Sequence, residues 1–291
     1  GLVWDIDFAS DLLLVAAGAG GMQVMDASGA GDPATIGVYE ASGDVWSVMA
    51  IGDMAVVGVD EVEDTSSIHV VRVSAAESPA RVGLHRREDE RALDLEASGD
   101  YAYVLYEDGV QILRLGQRSD PDVTSFVALD GVLESMTYAS GRLYVTDNRP
   151  ERPALVVVDV STPEEPHVQV NWELSREIWG LSVEDSTIHA LDETGITILR
   201  LDALEPPALV GHLDVSGGPL RQHVTGGFAF VTTERAGLQL LDVATPDSLS
   251  HLSAYVPPGS PTDAVLHDGL AFLAQGVFAE GLQIIDVRVP T

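Results

Sequence analysis

Three of the four tryptophans, Trp4, Trp46 and Trp179, occupy one point of a recurring phrase, at or just ahead of a short apolar strand. With the units aligned on their second strands, Leu93, Glu134, Leu220 and Thr262 fall at the same point. The next position holds Asp5, Ser47, Asp94, Ser135, Gly180, Arg221 and Asp263. Indole faces ringed by carboxylates and one guanidinium make a pocket with an apolar wall and a few convergent polar groups. Such a set suits a sugar, an aromatic or a cationic ligand, the last through cation–π contact in a negative field. The ligand-binding candidates are therefore Trp4, Asp5, Trp46, Asp94, Glu134, Trp179, Arg221 and Asp263. A packing role competes with this one, because large side chains in that column also seal the seams between units.

His223 follows Arg221 by two residues on the same strand. Set against Asp263 or Asp5 it forms an acid–base pair. The catalytic candidates are thus His223, Arg221, Asp263 and Asp5. No Gly-x-Ser-x-Gly elbow, phosphate-cradling loop or dinucleotide fingerprint occurs. No His-x-x-x-His or His-Glu-x-x-His pair supports zinc, and the absence of cysteine excludes thiolate sites, a Cys nucleophile and disulfides. The run Asp60-Glu61-Val62-Glu63-Asp64 carries four carboxylates suited to calcium, Asp60, Glu61, Glu63 and Asp64. It lacks the Asp-x-Asp-x-Asp-Gly loop, so a solvated loop is the stronger reading of it. His69 and His189 fall inside strands and read as packed or surface residues. No cofactor other than calcium has a candidate site.

The elements that must hold these residues are repeats. Gly281-Leu282-Gln283-Ile284-Ile285-Asp286-Val287 restates Gly237-Leu238-Gln239-Leu240-Leu241-Asp242-Val243 and Gly21-Met22-Gln23-Val24-Met25-Asp26. Related apolar runs start at 68, 110, 155 and 196. Seven copies with a period in the low forties match a propeller blade, which needs four short strands and their turns. Each unit runs as an apolar strand, a tight polar turn such as Ser140-Gly141 or Asp268-Gly269, a β-branched or aromatic strand, the repeated phrase, and a Pro-marked fourth strand. The repeated phrase is apolar throughout, which fits a strand covered on both faces. The expectation is an all-β, seven-bladed β-propeller with four-stranded antiparallel blades, one domain over 1–291. The blades fall near 1–41, 42–88, 89–130, 131–174, 175–216, 217–258 and 259–291. After Pro290-Thr291 no fourth strand of the last unit is available. Either that blade has three strands, or residues outside this chain complete its open edge.

Leu155-Val156-Val157-Val158-Asp159-Val160-Ser161-Thr162-Pro163 and the Pro-Ala-Leu-Val-Gly of 207–211 resemble the LVIVD repeat. This repeat occurs in bacterial and archaeal β-propellers that are often exported or surface-attached. The likeness covers essentially the whole chain. It is strongest in the first and the last two units, and weak around 60–67 and 116–125. It implies the fold and leaves function open, since propellers host many unrelated activities.

Charge narrows the partners. There are 46 acidic residues against 15 basic, all arginine, for a net of −31. Such a field repels nucleic acid and anionic membrane surfaces, and no apolar run is long enough to cross a bilayer as a helix. The acidity suits a salty or extracellular setting, and the resemblance implies an extracellular, cell-surface or periplasmic one. Three functions stay open: a binding module that takes a small molecule, glycan or protein at the channel mouth, an enzyme in the same pocket, and a structural surface domain.

Overall fold

Seven phrases become seven antiparallel sheets. In the computed structural model the first sheet joins Asp5–Ala9, Leu12–Ala16, Met22–Asp26 and Ala34–Tyr39 in chain order. Five further sheets repeat that order with four strands each. The seventh has three, Ser260–His267, Leu270–Val277 and Gly281–Asp286. The structure describes residues 2–28, 33–61, 65–87, 90–116, 119–201, 205–277 and 281–287. Among these there is no α-helix, and one 3-10 turn covers Pro246–Ser248. The chain is the expected seven-bladed propeller, with three strands in its last blade.

Tight turns set the blade geometry. The first residue of the turn between first and second strands has a positive φ in every blade, at Ser10, Gly52, Gly99, Ser140, Asp185, Gly226 and Asp268, with values from 49° to 59°. Short polar residues and glycine tolerate this left-handed conformation, which is why they punctuate the sequence there. These turns define one face of the ring, the turn face. The loops that enter the first strand and leave the second open on the other, the mouth face.

Packing follows the period of two along each strand. Leu14 faces the seam with blade 2, and its neighbours Leu13 and Val15 face the seam with blade 7. Seven apolar clusters result, one per seam. The last joins Val3, Ile6 and Leu13 to Phe272 and Ala274 and closes the ring. Fully burying one such aliphatic side chain stabilises by about 1.5–3 kcal/mol. The glycine of the fourth-strand phrase serves the same seams. A Cβ on Gly37 would lie 1.9 Å from the carbonyl oxygen of Ala76 in blade 2, and one on Gly83 would lie 2.6 Å from that of Ser119 in blade 3. Both glycines lie next to a register shift between third and fourth strands that recurs in all six four-stranded blades.

Candidate channel-mouth site

The inner strands line a central channel, and their alternate residues point into it. Two cavities of about 270 and 590 Å³ meet there and share Asp94, Arg221 and Asp263. β-Bulges aim the entrance. Trp46, Glu134, Leu220 and Thr262 all sit at register shifts between the first and second strands of their blades. A bulge adds a residue without a ladder partner and re-aims the side chains beside it.

The neck gathers Asp5, Asp94, Asp263 and Arg221, four of the residues expected there. An inner strand has a ladder partner on one edge only, so its other N–H groups need acceptors. The carboxylates of the preceding blade supply them. Asp5 accepts from the Val48 N–H at 2.9 Å and the Ser47 hydroxyl at 2.8 Å. Asp7 accepts from the Ala50 N–H at 2.7 Å, and Asp94 from the Met136 N–H at 2.7 Å. Much of the acidic lining is thus structural as well as chemically available.

Close confinement by protein sets the proton affinities. Burial, reinforced by Asp263, pushes Asp5 up to about 7 against the opposing pull of Arg221 and the Val48 and Ser47 donors. Burial raises Asp94 to about 6, with the Met136 N–H and Arg221 opposing. Burial and the Asp94 charge raise Glu96 to about 8. Asp7 is also raised, again mainly by burial. Confinement weakens the charge on Arg221, but Asp263, Asp5 and Asp94 outweigh it and hold the guanidinium firmly protonated. Burial lowers His223, opposed by Asp7 and then Glu184. The carboxylates that act on His223 are therefore Asp7 and Glu184, where the sequence suggested Asp263 or Asp5.

The tryptophans part company. Trp179 is 36% exposed and lines the larger cavity with Glu134. Asn148, from the loop leaving the second strand of blade 4, binds both the Glu134 carboxylate and the backbone of Ile178, at 2.8 Å to its oxygen and 3.0 Å to its nitrogen. That clamp sets the approach to Trp179. Trp46 lines the smaller cavity but lies flat on Gly58, where a Cβ would meet the indole at 2.5 Å, and packs into the seam with blade 3. Trp4 is 45% exposed, beside Gly18, and lines neither cavity.

Asp7, Glu96 and Glu184 were not among the sequence candidates. The signal for Asp7 and Glu96 was present, since they stand two residues beyond Asp5 and Asp94 on the same strand face. The calcium candidates are divided. Asp60 pairs with Arg91 at 2.9 Å and accepts the Ser66 hydroxyl. Both carboxylate oxygens of Glu61 accept from Nη2 of Arg86, at 2.6 and 2.7 Å. Glu63 and Asp64 lie outside the described residues, and no group of three His, Asp or Glu placed to hold a metal occurs among those described.

Comparison with known proteins bears on the fold. The LVIVD repeat profile matches residues 91–113. That span covers the first three strands of blade 3, Asp94–Ser98, Tyr101–Tyr106 and Gly109–Arg114, and so falls on a unit other than those where the likeness looked strongest. No curated protein matches significantly. Among solved structures, Sqt1 from Saccharomyces cerevisiae is similar with a TM-score of 0.69 and 10% identity, covering 94% of this chain and 93% of that one. A chain of the Mitotic Checkpoint Complex gives 0.72 at 11% identity, with 94% and 83% covered. BamB from Moraxella catarrhalis gives 0.59 at 16% identity, with 94% and 79% covered. At these identities the likeness carries the fold alone. The seven blades make this chain a β-propeller, and one of them, blade 3, matches the LVIVD repeat.

Proposed function

We propose that this propeller is a binding module that takes a small cationic ligand at its channel mouth. The observation that carries this reading is the convergence of Asp5, Asp94 and Asp263 on a single arginine, Arg221, inside an open funnel. Three carboxylates against one guanidinium leave an excess of negative charge where a ligand enters. Trp179 offers an indole face at the rim, and a cation over such a face gains about 0.5–2 kcal/mol. The strongly acidic surface adds long-range attraction for the same ligand class. That surface, and the resemblance to exported propellers, favour a location outside the cell or on its surface.

Calorimetric titration with choline tests the reading. Wild-type protein should bind one choline at the mouth. Asp94→Asn with Asp263→Asn should weaken binding by tenfold or more, and Trp179→Ala by about three- to thirtyfold. Equal affinity in folded variants would refute the site. An enzymatic reading has one observation in its favour: His223, its proton affinity lowered by burial, lines the smaller cavity close to Asp7. Turnover of a cationic substrate that is lost in His223→Ala while binding persists would select it.

A further inference from the structure

Blade 5 breaks the seam pattern. The third residue of the second strand faces the seam with the next blade, and six blades place Leu14, Val56, Tyr103, Tyr144, Phe230 or Phe272 there. Blade 5 has His189 instead. It is 3% exposed, and its Nδ1 has no hydrogen-bond partner among the described residues. An unpaired polar atom buried in a seam costs about 1–3 kcal/mol, so an apolar side chain would serve packing better.

A cavity adjoins the seam at this point. A notch of about 630 Å³ lies between blades 5 and 6 on the turn face, on the opposite side of the ring from the mouth. His189 lines it with Glu184, Asp185 and Thr187 of blade 5 and Val243 and Pro246 of blade 6. The blade-6 turn contributes Gly226 and Gly227, which add no side chains to the wall. One oxygen of Glu184, Oε1, accepts the Gly226 N–H at 3.1 Å. Among the described residues no arginine lines the notch.

We propose that this notch is a second binding site, for an ammonium or guanidinium group carried on an aliphatic stem. The carboxylates of Glu184 and Asp185 face the cation. Val243 and Pro246 cover the stem. A neutral imidazole has an acceptor nitrogen, and the unpartnered Nδ1 of His189 takes one N–H of the ligand. Anions are repelled by two carboxylates with no compensating cation. Metal ions are not favoured, because no three His, Asp or Glu among the described residues are placed to share one.

Butylguanidinium is the probe. Its titration into isotope-labelled protein is followed by the histidine ring resonances, with His189 identified by its loss in His189→Phe. A saturable shift of the His189 signal is expected. His189→Phe leaves the net charge unchanged and installs the side chain that blades 6 and 7 carry at this position, so it should fold. In calorimetry it should lose the notch site. Glu184→Gln should weaken the site about tenfold, and the mouth variant Asp94→Asn with Asp263→Asn should leave it intact. A His189 signal that does not move would overturn the proposal. So would undiminished binding in His189→Phe, which would mark the attraction as non-specific, or loss of the signal in the mouth variant.

Discussion

Glu96 shows how a single inner-strand residue couples the fold to proton uptake. Its carboxyl is held up to about 8 by burial and by Asp94, far above an ordinary glutamate. A carboxyl whose folded value is raised keeps its proton longer in the folded protein. It therefore adds no cost below about pH 4, where both states are protonated. It destabilises the fold increasingly as pH rises from there towards 8. Glu96→Gln should accordingly raise the melting temperature by roughly 2–4 °C per kcal/mol recovered at pH 9, and change it little at pH 4. Calorimetric scans at the two pH values check this, and an equal shift at both would exclude the titration as its cause. The mouth column was legible in the sequence because seven registered copies make Asp5, Asp94, Arg221 and Asp263 stand out. The second ring was not picked out, although the same strand periodicity places Asp7 and Glu96 on it. The differing fates of Trp4, Trp46 and Trp179 depend on local packing, such as the bare surface of Gly58, that no single-strand pattern encodes.

At the scale of the blade, the repeated phrases divide the work. Third strands such as Leu155-Val156-Val157-Val158 are almost wholly buried because each blade is covered on both faces. This much was evident from their unbroken apolarity. The seam role of Gly37 and Gly83 was not, since it depends on a backbone carbonyl from the next blade. Gly37→Ala should cost about 1–3 kcal/mol, because its Cβ would collide with the Ala76 carbonyl and force the blades apart. Gly52→Ala is the contrast. Nothing lies within 4 Å of that Cβ, and only the left-handed φ of 57° penalises it, at about 1 kcal/mol. Urea unfolding of both variants ranks them, and a Gly37→Ala protein as stable as wild type would remove the seam argument. The bulges at Trp46, Glu134, Leu220 and Thr262 belong to this scale too. They are invisible in an unaligned sequence, yet they shape the entrance to the channel.

Across the whole molecule, a net charge of −31 surrounds a funnel whose own carboxylates are partly protonated near neutrality. Those facts make a joint demand on any cation that binds. The groups around the neck are Asp5, Asp7, Asp94, Glu96 and Asp263, with Arg221 and His223 as the basic partners. A ligand that uses Asp5, Asp94 or Glu96 must displace their protons, whereas one attracted by the general surface charge need not. Surface carboxylates are ionised well below pH 6 and are screened by salt within about 8 Å at 0.15 M. The deciding measurement is therefore the choline affinity of the wild-type protein at constant ionic strength, titrated from pH 5 to pH 9. The mouth-site account predicts that affinity rises through pH 6–8, by up to about tenfold per pH unit for each carboxylate that must ionise, and levels off above. An affinity that is flat over that range, or that falls as pH rises, would contradict it.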